Sequence, residues 1–213
     1  MTNKDIHFEL ASGHPEVAVI RLTRGKKRNA INDGLILAIR DIFEKLPKTV
    51  RAAVIDGEGE HFCAGLDLSE LQERDASEGV FHSRMWHAAL ECVQYGPVPV
   101  VASLHGAVVG GGLELASACH IRVADETTFY ALPEGSRGIF VGGGGAVRIP
   151  RLIGTARMTD MMLTGRVFDA AEGQAVGLSN YLVADGEARV PRWAASRETE
   201  LFARAFGREL QVA

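Results

Sequence analysis

The chain has 213 residues, 46% hydrophobic and 23% charged, a balance suited to one soluble domain with a core of its own. Its formal net charge of -4, with Lys26-Lys27-Arg28 as the tight basic cluster, excludes a nucleic-acid or anionic-membrane footprint, and no run reaches the roughly 18 apolar residues of a membrane span. The scattered Cys63, Cys92 and Cys119 suggest neither a disulfide framework nor a zinc site, and Met1 to Asp5 lacks a secretion-signal core, so the cytoplasm is the expected location.

In chain order, Ile6 to Ala11 and Val17 to Leu22 alternate in the manner of strands around a turn at Gly13-His14-Pro15, which predicts a hairpin. Ile31 to Leu46 carries apolar residues at helical spacing (Leu35, Ile39, Ile42, Phe43, Leu46), with Pro47 as the stop. Ala52 to Ile55 is a continuous apolar run, as expected of a strand buried on both faces. A loop from Asp56 to Gly65 follows, and Asp67-Leu68-Ser69-Glu70 has the form of a helix start, with Asp67 as N-cap. Val80 to Tyr95 reads as an amphipathic helix closed by Gly96-Pro97, Val98 to Leu104 as a buried strand, Leu113 to Cys119 as helix and Ile121 to Ala124 as strand. This alternation predicts an α/β fold with parallel pairing.

Three segments place glycine or proline where a packed element would avoid them. They are Phe62-Cys63-Ala64-Gly65-Leu66-Asp67, Val109-Gly110-Gly111-Gly112-Leu113-Glu114-Leu115, and Leu132-Pro133-Glu134 with the glycines from Gly138 to Gly145. A helix N-terminus exposes unpaired N–H groups and partial positive charge, and glycine lets a ligand come close to it. Two such turns facing each other would make an oxyanion hole. Alone, Gly110 to Gly112 would equally serve close helix–strand packing, Glu114 would suit any helix N-terminus, and Glu134 after Pro133 would suit any first turn. Neither a dinucleotide fingerprint nor a P-loop is present, because the spacing and the Gly-Lys-Ser/Thr step are missing. His61, His82, His87, His105 and His120 show no metal-ligand spacing, and no metal is expected.

Taken together and in this order, the segments resemble the crotonase superfamily of enoyl-CoA hydratases and isomerases. Pro99 to Gly106 running into Gly110 to Ala116, and Pro133-Glu134 with Gly142 to Arg151, carry the likeness, which spans about Ile6 to Val183. Arg24 to Ile31 resembles the family's early coenzyme A-contacting turn. The resemblance implies a crotonase-like ββα spiral core over residues 1–183, in which the backbone N–H groups of Ala64 and Gly111 hold a thioester oxygen while Glu114 and Glu134 flank the acyl α,β-carbons. It further implies substrate and coenzyme A contacts from Lys26, Arg28, Ala30, Cys63, Ala64, Gly65, Leu66, Asp67, Leu68, Gly110, Gly111 and Pro133. Cys63 is otherwise a small packing residue, and Met85 and Trp86 are candidate acyl-pocket walls.

The activity so implied is hydration of a trans-2-enoyl-CoA to a 3-hydroxyacyl-CoA by a trimer-based homo-oligomer of fatty acid metabolism. Coenzyme A enters as part of the substrate, with no separate cofactor. Isomerisation, hydratase-lyase chemistry on aromatic or branched acyl-CoA, and weak acyl-CoA binding are the alternatives. After Val183 the pattern breaks, and residues 184–213 read as a short atypical helical segment, which leaves a reduced C-terminal helical region.

Overall fold

The structure, a computed structural model, describes residues 3–70 and 75–184. The expected segment 184–213 therefore lies, apart from its first residue, outside the described residues. The chain begins with β1 (Ile6–Ala11) and β2 (His14–Leu22), an antiparallel hairpin that turns at Gly13 with φ +81°. It continues through α1 (Asp33–Glu44), β3 (Ala52–Gly57), α2 (Ala76–Gln94), β4 (Val100–Leu104), β5 (Ala107–Val109), α3 (Gly111–Ala118), β6 (Ile121–Asp125) and β7 (Phe129–Ala131). Then come α4 (Gly145–Ile153), α5 (Thr155–Thr164), β8 (Phe168–Asp169), α6 (Ala170–Val176) and β9 (Tyr181–Val183).

Two sheets result. The larger has the order β1-β2-β3-β4-β6-β9 and is parallel from β2 onward, with Ile20 beside Ile55, Val54 beside Val101 and Val123 beside Tyr181. The smaller has the order β5-β7-β8 and is extended by the single bridges Ile31–Leu66 and Cys63–Val108. Each turn of the chain thus gives a strand to the large sheet, a short strand or bridge to the small one, and then a helix. β4, β5 and α3 make one such turn, and β3, the Cys63 bridge and α2 make another. Stacking these turns is what brings four successive strand-to-helix junctions to one edge.

The expected parallel α/β architecture is present, and the local differences have local causes. α1 is shorter than Ile31 to Leu46 because Asn32 caps it, accepting from the Leu35 N–H at 2.8 Å, while Ile31 is drawn into its bridge. Asp67 starts only a short 3₁₀ turn, Leu68–Glu70. The capping box lies further on, where Asp75 and Glu78 bond reciprocally and begin α2 four residues before Val80. Pro99 has no N–H to donate, so the β4 ladder starts at Val100, although the Pro99 carbonyl still accepts from Ala53. The main core packs β2, β3 and β4 against α1, α2 and α3, with Ile20, Ile36, Ile39, Ile55, Leu90 and Leu104 almost fully buried.

Candidate active site

The site grows from two turns held in contact. Along Phe62 to Val109 the backbones are laced together: Phe62 donates to His105, Cys63 to Ala107 and Val109 back to Cys63, at 2.8 to 3.0 Å. This fixes the start of α3 against the 63–66 turn so closely that a Cβ on Gly112 would overlap the Cys63 carbonyl oxygen. Cys63 is fully buried, and burial pushes its thiol up to about 12, so it is a packing residue and not a nucleophile.

The resemblance implies that the Ala64 N–H is the first carbonyl-binding donor, and here the structure departs from it. The Ala64 N–H donates to the Arg28 carbonyl at 2.9 Å. Ile31 donates to the Gly65 carbonyl and accepts from the Asp67 N–H, so the Leu66 N–H between them points away from that ladder. Leu66 N–H has no partner among the described residues, and its nitrogen lies 3.6 Å from where a Gly111 Cβ would stand. Gly111 is the first residue of α3, so its own N–H is one of the donors that a helix leaves unpaired. The two donors that face each other are therefore Leu66 and Gly111. Trp86 packs its ring on Gly111 and is pinned by Asp33, which accepts its indole N–H at 3.0 Å.

Both predicted glutamates come to this place. Glu114, in the first turn of α3, is 4% exposed, and its Oε1 accepts from the Gly143 and Gly145 N–H groups, each at 2.8 Å. These amides sit at the start of α4, so a run noticed only as glycine-rich is a carboxylate clamp. Glu134 is 5% exposed and caps a 3₁₀ turn, Gly135–Arg137, after Pro133. Its Oε1 would stand 2.5 Å from a Cβ on Gly110, whose φ of +52° and ψ of -118° also suit only glycine. Its Oε2 is buried without a partner among the described residues.

Burial raises both carboxyls. Glu114 is pushed up to about 7, by desolvation first, with the Glu134 charge adding to it and the Gly145 and Gly143 amides opposing it. Glu134 is raised by desolvation, with its own backbone and Arg137 opposing. Both carboxyls therefore hold a proton more readily than a solvated carboxyl does, which suits a pair in which one acts as acid and the other as base.

The Glu114 shift also carries a stability consequence. Its pKa is higher folded than unfolded, so folding binds a proton between pH 4.5 and about 7, and stability falls as pH rises through that window. Glu114→Gln is expected to stabilise the fold by about 2–3 kcal/mol at pH 8 and by under about 1 kcal/mol at pH 5. Urea unfolding of both proteins at the two pH values measures this, and an equal difference at both would contradict it.

The turn that carries Lys26, Arg28 and Ala30 belongs to the same unit. Lys26 and Arg28 are exposed, as is Leu68, while Asp67 is buried and accepts from Arg24 at 2.7 Å, Lys27 at 2.8 Å and the Ser69 hydroxyl at 2.6 Å. Lys27 and Ser69, followed by Arg24, hold the Asp67 carboxyl well below its ordinary range, so Asp67 is an anchor of the turn as well as its cap. Asn29, fully buried with φ +53°, donates to the Glu58 and His61 carbonyls and ties the same turn to the end of β3. The resemblance placed Arg24 and Asn29 in the coenzyme A-contacting turn, but the Arg24–Asp67 ion pair that anchors it spans 43 positions and leaves no local pattern.

Comparison with known proteins fits this geometry. The profile of the family described as Enoyl-CoA hydratase/isomerase matches residues 13–206. The bovine (Bos taurus) enoyl-CoA hydratase domain-containing protein 2, mitochondrial, is 35% identical over 182 residues, which is 84% of this chain and 61% of that protein. The chain thus spans about three fifths of that relative's length. The crystal structure of a candidate enoyl-CoA hydratase from Rhodopseudomonas palustris is 53% identical with a TM-score of 0.87, covering 95% of this chain and 80% of the other. A further candidate enoyl-CoA hydratase, from Thermobifida fusca and solved in complex with CoA, is 26% identical with a TM-score of 0.83, covering 96% and 79%. With a profile match over most of its length and the same architecture in solved relatives, the chain belongs to the enoyl-CoA hydratase/isomerase family.

Proposed function

We propose that the chain hydrates a trans-2-enoyl-CoA to the 3-hydroxyacyl-CoA. The observation that carries this reading is the convergence of two buried carboxyls, Glu114 and Glu134, on the turn that presents the Leu66 and Gly111 N–H groups. The thioester oxygen accepts from both N–H groups. The ionised member of the pair takes a proton from water as the water oxygen bonds to C3, and the C2–C3 π electrons move toward the thioester oxygen as an enolate. The enolate then collapses and C2 takes the proton of the other carboxyl. One water has been added, and the pair again holds one proton.

Exposed Lys26 and Arg28 and the turn from Cys63 to Leu68 would contact the coenzyme A portion, and the CoA complex of the Thermobifida relative supports that class of ligand. Pro133 and Gly110 would shape the floor beneath the acyl carbons. Hydration is favoured over double-bond isomerisation because two carboxyls are buried together, whereas moving a double bond needs only one proton carrier. Loss of the conjugated-thioester absorbance from trans-2-enoyl-CoAs of increasing length tests it, with hydroxyacyl-CoA identified by mass. Conversion of 3-enoyl-CoA alone, or no turnover at any length, would overturn it.

A further inference from the structure

A charged group that the acid–base chemistry does not use lies directly behind it. Arg148, on α4, is 7% exposed, and no carboxylate bonds to it among the described residues. Its Nη1 donates to the Gly143 carbonyl at 2.9 Å and its Nε to the Gln94 Oε1 at 2.6 Å, at the last residue of α2. A buried guanidinium is costly to desolvate, and two neutral acceptors offset little of that, so its retention calls for a reason beyond packing.

The reason lies in what Gly143 does with its other half. Its N–H is one of the two donors on Glu114 Oε1, and the second, Gly145, lies two residues on. Gly144 between them has φ +100°, and a Cβ there would overlap Arg148 Nη1. The loop thus has no side chain where the guanidinium must reach the Gly143 carbonyl. We infer that Arg148 is a positioning residue for the acid–base pair: it braces the 143–145 loop between α2 and α4 so that both amides stay aimed at Glu114. This rests on the proposed hydratase reading for its catalytic consequence, although not for its structural one.

The groups that face Glu114 are Glu134 from the turn after β7 and Arg148 from α4, with His87 of α2 lying against Gly144. Glu91 of α2 and Tyr95, the residue just past its end, face Arg148. Arg148 is the cation among those acting on Glu114, and its charge opposes the raised pKa there. Loss of that charge, together with slackening of the two amides, moves the Glu114 midpoint upward.

The test is a ¹³C NMR titration of the protein labelled at the glutamate carboxyls, with the Glu114 signal identified by its absence in Glu114→Gln. In Arg148→Gln the midpoint is expected to rise by about half a pH unit to one unit. The hydratase kcat is expected to fall about 10–100-fold, as when the partner behind a reacting group is removed, with KM little changed. Arg148→Lys keeps the charge but cannot brace two acceptors with one fork, so its midpoint should lie nearer wild type while kcat falls part of the way. A folded Arg148→Gln, or Arg148→Lys if the first does not fold, with wild-type midpoint and kcat overturns the inference. If wild type turns over no enoyl-CoA, the hydratase reading fails alone, and the titration still decides the role of Arg148.

Discussion

Glu134→Gln is expected to slow hydration of a short trans-2-enoyl-CoA by about 10³-fold, within the 10²–10⁴ that a positioned acid or base contributes. The amide has the size of the carboxyl it replaces but cannot hand over or take up a proton. Glu134 is the member of the pair with a buried oxygen that has no partner among the described residues, so its carboxyl is not spent on the fold there. Substitution should therefore leave folding intact and lower kcat far more than it raises KM. Initial rates by loss of conjugated absorbance, set beside a thermal melt, check both parts. A loss under tenfold would remove Glu134 from the chemistry.

The second large effect concerns a single backbone hydrogen. Replacing the Leu66 amide with an ester, by incorporating the α-hydroxy analogue of leucine, deletes one carbonyl-binding donor while keeping the side chain. The expected cost is about 10²–10³-fold in kcat. The same exchange at Ala64 removes the hydrogen bond to Arg28 and should cost about 1 kcal/mol of stability with little loss of rate. A rate loss at Ala64 and none at Leu66 would return the donor to the position read from the sequence.

That misplacement shows how far a sequence can be read. Ala64 and Leu66 flank the same glycine, and nothing in their residue types says which N–H is free. The answer depends on Arg28 and Ile31, more than thirty residues earlier, which claim the Ala64 N–H and the two groups either side of Leu66. Segments whose cause is local were legible: the hairpin at Gly13, the doubly buried run that became β3, and the stop of α1 before Pro47. The small sheet was not, because β5, β7 and β8 are two or three residues long and take their pairing from distant neighbours. Glu114 and Glu134 were found through the family resemblance of the segments that carry them, since a helix start after glycine or proline would by itself account for either. The clamp on Glu114 at Gly143 and Gly145 was not, since a backbone donor carries no residue signature.

The central claim is that Leu66 and Gly111 polarise a thioester carbonyl. The direct measurement is the vibrational spectrum of a ¹³C=O-labelled, unreactive enoyl-CoA analogue, free and bound. On the wild-type protein and on the Ala64 ester the carbonyl stretch is predicted to move to lower frequency, and on the Leu66 ester most of that displacement should be lost. An unshifted carbonyl on the wild-type protein, or a shift lost with Ala64 and kept with Leu66, would contradict it.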